Sequence, residues 1–95
     1  MINNHEVYKD FKKIKYNDIH KLKRPWIFTN GVFDILHRGH IKYIKEAKKI
    51  GGSLIIGLNS DISVKALDKG DNRPINDEVS RALLLSAITY VDAVV

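Results

Sequence analysis

Thr29-Asn30-Gly31-Val32-Phe33-Asp34-Ile35-Leu36-His37-Arg38-Gly39-His40 is the stretch on which the reading of this chain turns. Just before it, Trp26-Ile27-Phe28-Thr29 is a run of β-formers that stops at Asn30-Gly31, the pattern of a buried strand entering a tight turn. Just after it, Ile41, Ile44, Ala47 and Ile50 fall on one helical face with lysines opposite, so Gly39 to Ile50 reads as an amphipathic helix. Gly51-Gly52 is a fitting end for that helix.

Outward from there the alternation continues. Leu54-Ile55-Ile56-Gly57-Leu58 reads as a second buried strand, and Asn59-Ser60-Asp61 supplies capping acceptors for a short helix over 61–67. The charged stretch 68–76, with Gly70 and Pro74, reads as a loop. Asn76 or Asp77 caps a helix running to about Tyr90, and Asp92-Ala93-Val94-Val95 begins a third strand. Strands alternating with helices imply an α/β fold with a parallel sheet and right-handed crossovers. Such sheets take ligands outside the carboxyl ends of their strands. The expected organisation is a nucleotide-binding domain over 25–95, one mononucleotide-binding half. It is preceded by a basic extension over 1–24 that reads as one or two short helices around Tyr8, Phe11, Ile14, Ile19 and Leu22. Pro25 divides the two.

The quoted stretch lies where a strand end meets a helix start. A helix start offers unpaired amide protons and a partial positive charge, which suits a phosphate. Gly31 and Gly39 would let a nucleotide approach the backbone closely. His37 and His40 are three apart, so both imidazoles project toward one point and can donate to phosphate oxygens whose charge grows during transfer. Two other readings stand beside this one. The pair could ligate a metal, although two ligands without a third His or a Cys make an incomplete site, and no metal site is expected. They could also be ordinary surface histidines.

The run resembles the signature of the cytidylyltransferase-like nucleotidyltransferase superfamily, and within it the heptose 1-phosphate adenylyltransferase branch. Leu58-Asn59-Ser60-Asp61-Ile62-Ser63-Val64-Lys65, Lys69-Gly70-Asp71-Asn72-Arg73-Pro74-Ile75-Asn76, and Arg81 followed by Tyr90-Val91-Asp92-Ala93-Val94-Val95 extend the likeness across residues 25–95. The resemblance implies a Rossmann-like nucleotidyltransferase fold in which His37 and His40 stabilise the nucleotide phosphates. It also implies that Thr29, Asn30, Gly31, Phe33, Asp34 and Gly39 shape the turn that receives them. Lys65 looks like the family's basic residue near the phosphates, with a solvated helix-end lysine as the competing reading. Arg73 lies in what resembles a substrate-side loop, and Arg81 resembles an arginine of the next helix, where a structural salt bridge competes. Asp34 alone could equally be a turn or capping residue.

The activity so implied is transfer of AMP from ATP, with Mg²⁺, to a sugar 1-phosphate such as heptose 1-phosphate, releasing pyrophosphate for surface glycan synthesis. A cytidylyltransferase of the glycerol 3-phosphate type, or a non-catalytic nucleotide-binding or assembly fragment, are the alternatives. The sequence departs from the pattern in two places. Val79 stands where a capping-box glutamate is expected after Asn76, and the family's later strands, helices and Ser/Thr-rich motif have no counterpart in these 95 residues. An uncovered sheet edge next to the third strand is the expected result, and with it a homo-oligomer.

Composition narrows the partners. The chain is 44% apolar and 28% charged, a globular balance, and has no cysteine, which excludes disulfides and thiolate metal sites. Its net charge of +5 is uneven: residues 1–24 hold seven Lys/Arg against three Asp/Glu, and residues 25–95 hold nine against eight. No stacking aromatics are interleaved through the basic part, so nucleic acid is not the expected partner. No stretch reads as a signal peptide and no apolar run is long enough to span a bilayer, so the expected place of work is the cytoplasm.

Overall fold

A computed structural model describes residues 6–67 and 72–95. Asp68, Lys69, Gly70 and Asp71 of the loop expected over 68–76 lie outside the described residues. In chain order the elements are β1 (Val7–Lys9), β2 (Lys12–Ile14), a 3-10 helix (Tyr16–Lys21), β3 (Trp26–Gly31) and α1 (Arg38–Lys48). Then come β4 (Ser53–Leu58), α2 (Asp61–Ala66), α3 (Glu78–Ser86) and β5 (Ala93–Val94). They form one five-stranded sheet in the order β2-β1-β5-β4-β3.

The parallel part is the one the sequence predicts. β3 runs parallel to β4 from Trp26↔Ser53 to Gly31↔Leu58, and β4 runs parallel to β5 through Ile55↔Ala93 and Ile56↔Val94. Every residue of β4 is buried, as a central parallel strand covered on both faces requires. Leu54, Ile56 and Leu58 face the main core with Ile44 and Ala47 of α1 and Ala82 and Leu85 of α3. Ile55 faces the other side, against Val7, Ile19 and Ala93.

Residues 6–24 correct the expectation of helices alone. They form a β-hairpin followed by a short 3-10 helix, and β1 adds antiparallel to β5 through Tyr8↔Val94. The turn Asp10-Phe11 has φ of 53° and 60°, the two positive values that a two-residue hairpin turn with matching twist demands. No glycine announces it. Instead Ser86 holds it: its carbonyl accepts from the Asp10 amide and its hydroxyl from the Phe11 amide. The edge next to β5 is therefore covered by β1, and the outer strands are β2 and β3. β2 carries exposed Lys12 and Lys13, a charge guard of the kind that blunts sheet edges. β3 has no charged residue, and Phe28 on it is exposed.

α3 also ends sooner than expected, at Ser86. The amides of Ala87 and Ile88 close back on the last turn, and the chain then swings so that Asp92 can reach β4. The Asp92 carboxylate accepts from the Leu54 amide at 2.7 Å and from Lys48 at 2.6 Å, pinning α1 and β4 to the start of β5.

Candidate nucleotide site

Past the end of β3 the three residues Val32, Phe33 and Asp34 line one hollow, and each makes different contacts. Phe33 has a positive φ of 50°, an uncommon conformation for a bulky residue. Its ring lies over Gly31, where a Cβ would come within 2.8 Å of it, and meets the His40 ring edge-on at 5.3 Å between centroids. The space above Gly31 is thus filled by an aromatic ring that buttresses a histidine, and is not left open for ligand.

His37 is the N-cap of α1. Its Nδ1 accepts from the Gly39 amide at 3.1 Å, and the Nδ1 of His40 accepts from the His37 amide at 3.2 Å. The two rings stack at 3.9 Å. This reciprocal cap has a chemical consequence. An imidazole whose Nδ1 accepts a hydrogen bond carries its proton on Nε2 when neutral, so both rings present an Nε2–H donor on the far side. Burial, aided by the neighbouring His37, lowers the pKa of His40, which keeps it neutral to lower pH than an ordinary histidine. Gly39 is required beneath: a Cβ there would lie 2.8 Å from the His37 ring.

Asp34 is buried, and its carboxylate is engaged within the protein. Its carboxylate accepts from the amides of Ile75 (2.8 Å) and Asn76 (2.9 Å) and from Nη1 of Arg73 at 3.1 Å, while the Asn76 side chain donates to the Asp34 carbonyl. Burial opposes ionisation of this carboxyl, but the two amides and Arg73 outweigh it and the pKa falls below the usual carboxylate range. Asp34 therefore clasps the segment before α3 onto the turn after β3.

Val32, Phe33, Asp34, His40, Val64 and Arg73 line a hollow of about 440 Å³ at this end of the sheet. The sequence reading anticipates four of these and misses Val32 and Val64, the apolar walls. Other expected site residues lie elsewhere. Thr29 is hydrogen-bonded to Tyr43 and lines a separate hollow on the outer side of β3 with Ile27, Phe28 and Ile50. Asn30 is exposed on β3, in register with Gly57. Lys65 is exposed and lines a smaller hollow with Asp61, Pro74, Ile75 and Asp77.

For Arg81 the structure has the salt bridge named as its competing reading. Arg81 is 1% exposed and donates to four acceptors inside the protein. Nε meets the Asn76 carbonyl at 2.9 Å, and Nη1 meets the carbonyls of Val32 and Asn59, both at 2.8 Å. Nη2 meets the Asp61 carboxylate at 2.7 Å. The guanidinium joins the ends of β3 and β4, the start of α2 and the segment before α3, so it builds the site from behind. The signal was present in the helix: Arg81 shares a face with Leu85, one turn on, and that face is buried. The helix cap also sits one residue later than Asn76, at Asp77, whose carboxylate accepts from the Ser80 amide, so Val79 is not at the capping-box position. Glu78 reaches instead to the Asp61 amide.

Among the described residues, no three His, Asp or Glu side chains gather as a protein-held metal would require. Both histidines use their Nδ1 lone pairs to accept from backbone amides, and the Asp34 carboxylate is already engaged, so these residues do not fit a resident cation. No described helix is long and apolar enough to cross a membrane.

The family described as cytidylyltransferase-like matches residues 28–95. The bifunctional protein HldE of Nitratiruptor sp. is 53% identical over 92 residues, which is 95% of this chain and 20% of that protein. The D-beta-D-heptose 1-phosphate adenylyltransferase of Bordetella bronchiseptica is 53% identical over 74 residues, 78% of this chain and 46% of that one. The crystal structure of a lipopolysaccharide core biosynthesis protein from Thermoplasma volcanium superposes with a TM-score of 0.66 at 43% identity, covering 70% of this chain and 52% of that one. The chain thus spans about half, or less, of the length of these relatives.

Proposed function

The chain belongs to the cytidylyltransferase-like family, and on that premise we propose that it is the nucleotide-binding part of an adenylyltransferase. It would join AMP from ATP to a sugar 1-phosphate, heptose 1-phosphate by likeness to the Bordetella relative, and work in the cytoplasm on surface glycan precursors. An oxygen of the sugar phosphate attacks the α-phosphorus of ATP, a new P–O bond forms, and the bond to pyrophosphate breaks. The observation that carries this reading is the pair of Nε2–H donors at the start of α1, held by their own Nδ1 acceptors. Donors fixed before the reaction stabilise charge on the transferred phosphoryl oxygens without reorganising. Catalysis of this kind is positioning and electrostatics, with no covalent intermediate on the protein. Magnesium would arrive on the triphosphate itself.

The test is pyrophosphate release from this chain with MgATP or MgCTP, offered in turn with D-glycero-β-D-manno-heptose 1-phosphate and glycerol 3-phosphate. Release that needs ATP and the heptose phosphate together is the expected result. Release from CTP and glycerol 3-phosphate would replace it with the cytidylyltransferase alternative. No release, together with no calorimetric binding of MgATP, would remove both.

One observation favours a second reading, an assembly module. The outer edge of β3 is uncharged and six residues long, and Phe28, Tyr43 and Ile50 are exposed next to it. Such an edge invites pairing with another strand. Sedimentation equilibrium should then show self-association that Phe28→Pro abolishes, since its amide faces away from β4, and a single monomeric species at every concentration would remove this reading.

A further inference from the structure

We propose that Asp34 is a positioning residue that aims Arg73 at a substrate anion lying against the histidine pair. The proposal rests on the nucleotidyl-transfer reading of the hollow and assigns it a second anion contact, on the wall away from α1. Arg73 and His40 come from segments 33 residues apart and line the same hollow. What brings Arg73 there is Asp34, whose carboxylate holds the backbone of residues 75 and 76 and takes Nη1 of the guanidinium. A guanidinium is a rigid planar fork, so a bond at one nitrogen fixes where the others point. The Asp34 side chain is 7% exposed and that of Arg73 38%, and Arg73 lines the hollow, so the anchor is buried while the guanidinium stays within reach of the cavity.

Charge gives the pairing a second role. Asp34 itself lines the hollow, and a bare carboxylate there would repel a phosphate. Arg73 screens it. Removing Arg73 therefore does two kinds of harm: the attraction is lost and the repulsion is uncovered. Removing the charge of Asp34 harms binding only while Arg73 is present to be misaimed. The two substitutions should therefore couple with a reversal of sign.

The experiment is calorimetric titration of the whole chain with MgATP. Asp34→Asn is expected to raise Kd about fivefold to tenfold and Arg73→Met about tenfold or more, the range for a charge-assisted hydrogen bond. The double variant is expected to bind more tightly than Arg73→Met alone, because the uncovered carboxylate is gone. A merely structural role for Asp34 predicts the opposite, a further loss in the double variant, and that outcome would overturn the proposal. So would a wild-type Kd for Asp34→Asn. If Asp34→Asn does not fold, Arg73→Lys keeps the charge and loses the fork, and an unchanged Kd there would equally overturn it. Should the wild type bind no MgATP, the reading of the site fails separately, and the Arg73 Nε–Hε resonance without ligand still decides the role of Asp34. An ordered, slowly exchanging signal lost in Asp34→Asn supports it, and a signal equally mobile in both proteins sinks it.

Discussion

Arg81→Leu is expected to cost about 3–5 kcal/mol of folding stability, the range for removing one partner of a buried ion pair. A domain of this size has roughly 5–15 kcal/mol in all, so the loss would take a large share of the whole margin. The reason is the number of groups left behind. The carbonyls of Val32, Asn59 and Asn76 lose their donor together, and Asp61 loses its counter-charge. Leucine fills part of the volume but offers none of these bonds. Arg81→Lys should fall between the two, because one ammonium cannot face three loops at once. Urea unfolding followed by circular dichroism measures the loss, with Lys42→Leu on the exposed face of α1 as the control, expected within about 0.5 kcal/mol of wild type. An Arg81→Leu protein as stable as that control would show that the four bonds contribute little net free energy.

The second large effect falls on turnover. His37→Ala and His40→Ala are each expected to lower it about 10²-fold or more, as loss of one transition-state donor does. Alanine at 37 also removes the cap of α1, which costs about 0.5–2 kcal/mol by itself. His37→Asn separates the two effects, since asparagine is a good N-cap and lacks the Nε2–H. Its melting temperature should stay near wild type while its turnover falls with that of His37→Ala. The double alanine variant should lose less than the product of the singles, because the rings support one another. Steady-state rates of pyrophosphate release read all four proteins, and wild-type rates in both single alanine variants would exclude the phosphate role.

The parts of this fold legible in the sequence were those whose signal is local. The strand ending at Gly31, the helix bearing Ile44 and Ala47, and the buried run of β4 follow from periodicity, and the structure has all three. The hairpin was hidden because Asp10-Phe11 adopts positive φ without the residues that advertise it, relying on Ser86, 75 positions from Phe11. The site divides the same way. The closeness of His37 and His40 follows from their spacing of three, whereas the bonds by which they cap α1 were not foreseen. The engagement of Asp34 with Arg73, Ile75 and Asn76 depends on two loops meeting, as does the burial of Arg81. Their residue types were informative; the direction each side chain took was set by tertiary contacts.

The seating of β1 between β2 and β5 bears on how the protein is made. Tyr8 is among the earliest described residues to leave the ribosome, yet its partner in the sheet is Val94, and both belong to the main core. Until β5 is made, the β1–β2 hairpin can form but has no sheet to join, because β5 is the strand it pairs with. Closing so long a loop is entropically slow, and topologies dominated by distant pairings fold late. The apolar residues of α1, β4 and α3 therefore wait, incompletely covered, until Ala93 and Val94 emerge. Completion of this core waits on the last of its paired strands, and the nascent chain's exposure to chaperones is set in part by the time needed to translate the 86 residues from Tyr8 to Val94.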